Sequence, residues 1–175
     1  MVLRSKYRYS QIETERRYLL QHLPNDLPEN YIQIIDLYIP DTRLRLRRMI
    51  DQQGKFIVAK FTQKYAGPEQ GAHERHITNI YLEEQEMDAL ACLTGAIVSK
   101  RRHSYKVGDI KYSIDFFTEH LEGLIICDLD HADAGDMPAP AFAHSEVTED
   151  NFFNGGNLAG IQPNDLTTIL DKYFS

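Results

Sequence analysis

Apolar and polar residues alternate along most of the first 130 residues, in short runs that turn residues separate. A period of two is typical of β-strands that bury one face. The turn residues stand at Pro40-Asp41, Gly54, Gly67-Pro68 and Gly108-Asp109. The alternation predicts eight strands, over residues 11–18, 31–39, 42–50, 55–64, 73–81, 97–106, 109–118 and 122–130.

Helical spacing is confined to a few segments, most of them after Asp130, where the chain becomes irregular and rich in proline. Leucines and a methionine recur three to five residues apart in LEEQEMDALACL, and short polar residues that favour helix caps precede two later segments. Three helices are predicted: over 82–93, over 151–159 with Asp150 as cap, and within 161–175 with Asn164 or Asp165 as cap.

Charged residues form rows on the polar faces of the predicted strands. In IETERRYLL, the side chains of Glu13, Glu15 and Arg17 share one face. Charged side chains recur in the same way on one face of later strands: Arg43, Arg45 and Arg47; Lys60; Lys100 and Arg102; and Asp128 and Asp130. A sheet with one charged face in water would also carry charge. However, bases concentrate on some strands and paired acids on the first and last, which favours a barrel with a polar interior.

An even number of strands with short connections indicates a closed antiparallel barrel. The predicted fold is therefore α+β and mainly β, a closed eight-stranded antiparallel β-barrel with a polar interior and a few flanking helices. A chain of 175 residues suits one domain. We expect residues 1–175 to form that domain, with residues 1–10 as an N-terminal tail or edge strand.

Composition restricts the partners. A net charge of −7 disfavours nucleic acid as the main ligand, although residues 41–64 carry seven basic side chains against two acidic ones and should meet an anion. Apolar runs fall short of the ~20 residues of a membrane span, and the N-terminus lacks a signal-peptide core. Cys92 and Cys127 do not make a disulfide framework. We expect a cytoplasmic protein with no membrane partner.

The acidic and basic rows together predict a metal and polyanion site. Oxygen ligands from Glu13, Glu15, Asp128 and Asp130 suit a hard divalent cation. Arginine side chains suit phosphate oxygens, which they bind in pairs of hydrogen bonds. A metal ion and a bound polyanion would neutralise the two sets of charges, and the repulsion between Glu13 and Glu15 would be relieved.

The ordered set of motifs resembles the CYTH superfamily, the triphosphate tunnel metalloenzymes, over about residues 11–160. The family's ExExK strand stands here as Glu13-Thr-Glu15-Arg-Arg17. RLRLRR is similar to its paired-arginine strand, FIVAK to its strand that ends in lysine, and SKRR to its Lys-x-Arg strand. EVTEDNFFNGGNLA, over 146–159, is similar to the family's C-terminal EVT-D-x-x-Y-x-N-x-x-LA segment.

The resemblance implies an enzyme that uses Mg²⁺ or Mn²⁺ to hydrolyse a small-molecule triphosphate, with inorganic tripolyphosphate as the leading substrate. It implies metal ligands at Glu13, Glu15, Asp128 and Asp130. It implies catalytic roles for Glu13, Glu15, Arg17, Lys100 and Asp128. It implies substrate-binding positions at Arg43, Arg45, Arg47, Lys60, Arg75, Arg102 and Asp115. Members of the family often pair, so a homodimer is a further expectation.

Three departures from the family pattern leave alternatives open. Arg17 replaces the lysine of ExExK, and Ile77 and Asn79 stand where the fifth strand often has two glutamates. The terminal acidic pair is Asp-x-Asp instead of Glu-x-Glu. The alternatives to hydrolysis are ATP cyclisation at the same site, a noncatalytic sensor of polyphosphate or nucleotides, and a barrel that serves only as an interaction module.

Overall fold

A computed structural model of the chain describes residues 9–66 and 74–175, so residues 1–8 of the expected tail lie outside the described residues. These ranges contain nine strands: β1 (Gln11–Leu19), β2 (Ile32–Tyr38), β3 (Leu44–Ile50), β4 (Phe56–Ala66), β5 (Glu74–Leu82), β6 (Ala96–Val107), β7 (Ile110–Phe117), β8 (Ile125–Asp130) and β9 (Ser145–Glu146). They also contain three helices: α1 (Glu84–Ala89), α2 (Gly155–Leu158) and α3 (Pro163–Phe174).

The first eight strands close into a barrel, as predicted. Their order is β5-β4-β3-β2-β6-β7-β8-β1, and β1 pairs with β5 to complete the ring. All of these pairings are antiparallel. The ninth strand was not predicted, because two residues are too few to show alternation. It adds to β1, where Tyr18 lies opposite Glu146.

Tight turns set the register of the hairpins. Between β3 and β4, the Asp51 carboxylate accepts hydrogen bonds from the backbone N–H groups of Gln53 and Lys55. Gly54 has a φ of +83°, a conformation that glycine adopts without a Cβ penalty. The hairpin register places Arg47 opposite Lys60. Alternate β3 side chains project to the same face of the sheet, and Arg45 and Arg47 line the interior of the barrel.

The C-terminal segment shares a hydrophobic core with the barrel. Phe153, Leu158 and Leu166 belong to the same buried cluster as Leu19 of β1 and Phe117 of β7. Burial of large apolar side chains is the main stabilising contribution to such packing. The segment 146–159 is therefore held against the barrel, where its backbone reaches the interior.

All three helices differ from the prediction, the first two in their bounds and the last in its cap. The first covers only Glu84–Ala89, because Leu82 still pairs with Ala59 across the sheet. The last begins at Pro163, whose ring fixes φ for the first turn, so the prediction of Asn164 or Asp165 as cap was wrong. Asp150 does act as a cap, since its carboxylate accepts from the Phe152 N–H at 2.9 Å, but a 3₁₀ turn and the short α2 follow it.

No helix in the described ranges is long and apolar enough to cross a membrane.

Candidate active site

The barrel encloses a small central cavity of about 110 Å³, whose charged walls carry equal numbers of acids and bases. The acidic side chains are Glu13, Glu15, Asp36, Asp115, Asp128 and Asp130. The basic side chains are Arg17, Arg45, Arg47, Lys64, Lys100 and Arg102. The charge rows that the sequence places on single strand faces thus meet inside the barrel.

Strand register brings the acids of β1 and β8 together. Glu15 lies opposite Asp130, and Arg17 lies opposite Asp128. Residues directly opposite on antiparallel strands project to the same side of the sheet, with Cβ atoms about 5 Å apart. Two carboxylates from each strand therefore line one part of the cavity.

Asp36 anchors the arginine pair of β3. It is 1% exposed, and its two carboxylate oxygens accept hydrogen bonds from Arg47 at 2.6 and 2.7 Å. Although burial opposes its charge, Arg47 and Arg45 hold the pKa of Asp36 well below its usual range. The Nε of Arg45 lies 3.5 Å from the same carboxylate, and its Nη2 donates to the Thr62 hydroxyl at 3.3 Å. Asp36 therefore holds both arginines on the cavity wall.

Asp115 anchors the basic side chains of β6 in the same way that Asp36 anchors those of β3. It is 1% exposed and accepts two hydrogen bonds of 2.6 Å from Arg102, besides a contact with the Lys100 ammonium. Burial opposes its charge, but Arg102 and Lys100 lower the pKa of Asp115 to about 2. Burial also lowers the pKa of Lys100, which Asp115 counteracts in part. Arg102 also donates to Asp128 at 2.8 Å, so two carboxylates hold the bases of β6 in place.

Arg17 ties β1 to β8 and to the C-terminal segment. Its guanidinium donates to Glu15 at 2.7 Å, to Asp128 at 3.2 Å and to the Phe153 carbonyl at 2.9 Å. The planar fork of arginine allows these simultaneous bonds, which the single ammonium of a lysine could not reach with the same spread. The Arg17 guanidinium is therefore fixed in place and holds Glu15 and Asp128 in position.

Negative charge remains concentrated around β1 and β8 in spite of the basic neighbours. Burial and the nearby Glu15 raise the pKa of Asp128 to about 6. Burial, Glu13 and Glu15 also raise the pKa of Asp130. Lys64 of β4 contacts Glu13 and lies 3.4 Å from Glu15, and so offsets part of this charge.

The donor chemistry of this acidic group fits a divalent metal ion, since carboxylate oxygens are the ligands that Mg²⁺ and Mn²⁺ prefer. Besides burial, the negative charges of Glu13 and Glu15 raise the pKa of Asp130, and a cation would offset this repulsion. In the arrangement described, however, no three Asp, Glu, His or Cys side chains of residues 9–66 and 74–175 converge on one point. Lys64 and Arg17 lie between the carboxylates instead.

A second cavity of about 560 Å³ adjoins the first and shares five of its wall residues. The shared residues are Arg17, Tyr38, Arg45, Lys64 and Gly155. Arg43 and Arg75 line only the second cavity. A Cβ at Gly155 would lie 1.9 Å from the Tyr38 hydroxyl oxygen, so the close approach of the two residues between the cavities requires glycine.

The structure groups most of the predicted site residues. All the predicted catalytic and metal-binding positions line the central cavity, as do Arg45, Arg47, Arg102 and Asp115. Arg43 and Arg75 lie at the second cavity. Lys60 lines neither of the two cavities, and its ammonium lies 5.0 Å from the centre of the Tyr81 ring.

Asp36, Tyr38 and Lys64 also line the cavity and were not among the predicted site residues. Asp36 had a usable signal, because it is the lone acid in the apolar strand IQIIDLY. Lys64 shares a strand face with Lys60, which drew the prediction instead. Tyr38 had no such signal, since aromatic residues at strand ends are common.

Comparison with known proteins gives matches only at the level of structure. No protein-family model matches the sequence, and a search of the curated proteins finds no match. A solved structure of the hypothetical protein NE1496 is 25% identical, has a TM-score of 0.56, and is matched over 86% of this chain and 99% of that chain. A structure of the inorganic triphosphatase NE1496 is 23% identical, with a TM-score of 0.53 and coverage of 84% and 93%.

These similarities extend over nearly the whole length of the solved proteins. The chain therefore shares the fold of the NE1496 structures, which the closed antiparallel barrel described above represents.

Proposed function

We propose that the protein hydrolyses a triphosphate, with inorganic tripolyphosphate as the leading substrate, and that it depends on Mg²⁺ or Mn²⁺. The central cavity supports this proposal best, because it gathers six basic and six acidic side chains inside a closed barrel. The similarity to the inorganic triphosphatase NE1496 agrees with this chemistry. A polyanion and a cation are the ligands that such a mixed cavity can bind at once.

Phosphate binding falls to the bases that buried acids hold in place. Asp36 orients Arg47, and Asp115 orients Arg102 and Lys100. Arg45 lies on the same wall, with its Nε 3.5 Å from Asp36. Because these donors are already fixed, little conformational freedom is lost when phosphate oxygens bind, which favours tight and oriented binding.

The metal ion would be held by Glu13, Glu15 and Asp130, with Asp128 beside them. When bound, it supplies a positive charge that polarises phosphate oxygens. The protein side chains perform the remaining tasks. Asp128 accepts a hydrogen bond from a water molecule and orients it in line with the terminal phosphoryl group. The fixed arginines stabilise the charge that develops on the leaving pyrophosphate.

Phosphate release from tripolyphosphate tests this proposal. The assay compares Mg²⁺, Mn²⁺ and a chelator, for the wild type, for Glu15→Gln and for Glu122→Gln, a matched change at an exposed position. We expect metal-dependent release that Glu15→Gln lowers by at least about 100-fold, since it removes a carboxylate of the reaction site. Release that survives chelation, or that Glu15→Gln leaves intact, would contradict the proposal.

The second cavity favours ATP cyclisation as the second candidate. Its volume of about 560 Å³ lies within the range of small-molecule pockets, and its shared walls would keep an attached nucleoside next to the phosphate chain. The products of ATP separate the two reactions. Cyclisation gives cyclic AMP and pyrophosphate, whereas hydrolysis of the terminal bond gives ADP and phosphate.

A noncatalytic sensor is the third candidate, and the bonds of Arg17 favour it. A guanidinium that already binds Glu15, Asp128 and Phe153 is poorly placed to orient water or transfer a proton. The sensor predicts a clear rise of the melting temperature with tripolyphosphate and no phosphate release under any metal condition.

A further inference from the structure

Lys64 holds an unusual place among the bases of the central cavity. Arg47, Lys100 and Arg102 pair with acids of neighbouring strands. Lys64 of β4 instead reaches past β5 to Glu13 and Glu15, the two carboxylates of β1. Its partner on β5 is Ile77, which offers no polar atom, so the ammonium is directed to β1.

The ammonium occupies the part of the cavity that a metal ion needs. Glu13 and Glu15 both contact it, and no three acidic side chains of the described residues converge while it is there. A divalent ion that binds these carboxylates would meet an ammonium about 4 Å away, and the two like charges repel strongly at that distance. Metal binding and the present position of Lys64 therefore compete.

The Lys64 side chain also has access to the second cavity. It is 31% exposed, and it lines the second cavity as well as the central one. The second cavity has Arg43, Arg45 and Arg75 on its walls and so attracts anions. An incoming phosphate group there would offer Lys64 a new partner and would draw the ammonium away from β1.

We infer that Lys64 is a tethered cation that fills the acidic part of the tunnel until a triphosphate arrives, and that it makes metal binding depend on substrate. This inference rests on the proposed function. Metal alone binds weakly, because it must displace the ammonium. With triphosphate present, Lys64 moves to the phosphate chain, and the carboxylates of Glu13 and Glu15 become available to the metal ion.

The direct test is a titration of the protein with Mn²⁺ in the absence of any phosphate. Electron paramagnetic resonance measures the free Mn²⁺ at each step. Lys64→Met keeps the length of the side chain and removes the charge. We expect it to tighten Mn²⁺ binding about tenfold, as the loss of a neighbouring positive charge implies. Lys64→Arg should keep the weak affinity of the wild type. Lys55→Met, at an exposed turn, controls for net charge and should change nothing.

The same variants are titrated with tripolyphosphate without metal, where Lys64→Met should bind more weakly than the wild type. If the metal ion binds away from Glu13 and Glu15, removal of the Lys64 charge lowers stability but gives no gain in Mn²⁺ affinity. Unchanged or weaker Mn²⁺ binding by Lys64→Met would therefore overturn the inference. Lys64→Gln, which retains a polar end group, repeats the comparison if the methionine variant does not fold.

Phosphate release by the wild type, measured on the same preparation, separates the two proposals. Metal-dependent release without the gain in Mn²⁺ affinity overturns the role of Lys64 and leaves the hydrolase intact. A gain in Mn²⁺ affinity without release supports the competition at Glu13 and Glu15 and removes the hydrolase.

Discussion

Two parts of the same cavity are built in different ways. The anchored side consists of Asp36 with Arg47 and of Asp115 with Arg102, and its two carboxylates are at most 2% exposed. The acidic end consists of Glu13, Glu15, Asp130 and Lys64, and there Glu13 is 25% and Lys64 31% exposed. The first set is fixed by paired hydrogen bonds to one carboxylate, whereas in the second set Lys64 is shared between Glu13 and Glu15 next to solvent.

The difference shows how one cavity can be both rigid and adaptable. Removal of one partner from a buried ion pair is strongly destabilising, because the other charge stays buried without compensation. A partly exposed pair contributes little, since water replaces the lost partner. The anchored side therefore suits a phosphate chain that needs fixed donors, and the acidic end suits a partner that must be exchanged.

Asp115→Asn should have the largest effect on stability. The change leaves Arg102 and Lys100 without the carboxylate that neutralises both, and we expect a loss of about 3 kcal/mol in the free energy of unfolding. Glu13→Gln at the acidic end should cost less than about 1 kcal/mol. Urea unfolding of both variants measures the contrast, and equal losses would remove the distinction between the two parts.

Acid should lower the free energy of unfolding, and the protonation of Asp115 on the anchored side should be a main cause. The pKa of Asp115 in the folded protein is about 2, below its usual value of 3.8. A depressed pKa stabilises the fold above the unfolded value, and this contribution is lost as the pH falls from about 4 towards 2. Urea midpoints at pH 5 and pH 3 should therefore differ more for the wild type than for Asp115→Asn. The same decrease in both proteins would exclude Asp115 as a source.

Gly155→Ala should disturb the boundary between the two cavities. The new Cβ would lie 1.9 Å from the Tyr38 hydroxyl oxygen, so the tyrosine ring must move, and overpacking of this kind costs about 1–3 kcal/mol. We expect weaker tripolyphosphate binding in titration calorimetry. Gly156→Ala is the matched control, because its Cβ would lie 3.7 Å from Tyr38 and fits without displacement. Equal effects of the two changes would show that the Tyr38 contact is not responsible.

The smallest effect is expected outside the barrel, at the pair of Arg48 and Glu84. These side chains are 38% and 54% exposed and lie 3.2 Å apart. Glu84→Gln should change the free energy of unfolding by less than about 0.5 kcal/mol, since exposed ion pairs are screened by water and salt. A larger loss in urea unfolding would mean that the strength of an ion pair here does not follow its burial.

The fold was largely predictable because the barrel repeats a simple pattern. Alternation in β1 to β8 fixes which side chains point inwards, and turns at Gly54 and Gly108 divide the strands. The two-residue β9 and the exact start of α3 were not predictable, since neither depends on periodicity. β9 is held on β1 by backbone hydrogen bonds from His144 and Val147 to Leu19 and Arg17, and the side chains of Arg16 and Glu146 meet at 2.6 and 2.8 Å.

The site was predictable where a strand carries its charges in a row, as with Glu13, Glu15 and Arg17. It was not predictable where the role depends on pairing between strands. Nothing local distinguishes Lys60 from Lys64, which share a strand face. Only the register of β4 and β5, with Ile77 opposite Lys64, directs the second lysine to the acids of β1.

The central claim is that the interior of the barrel binds a triphosphate. Its most direct test is the binding of tripolyphosphate to two variants with substitutions in strand β3. Arg45→Met removes a base from the cavity wall, and Arg48→Met removes one from the outer pair with Glu84. Titration calorimetry without metal should show binding by the wild type, a loss of about tenfold or more for Arg45→Met and no change for Arg48→Met. Equal affinities of the two variants, or no binding by the wild type, would mean that the interior of the barrel does not hold the triphosphate.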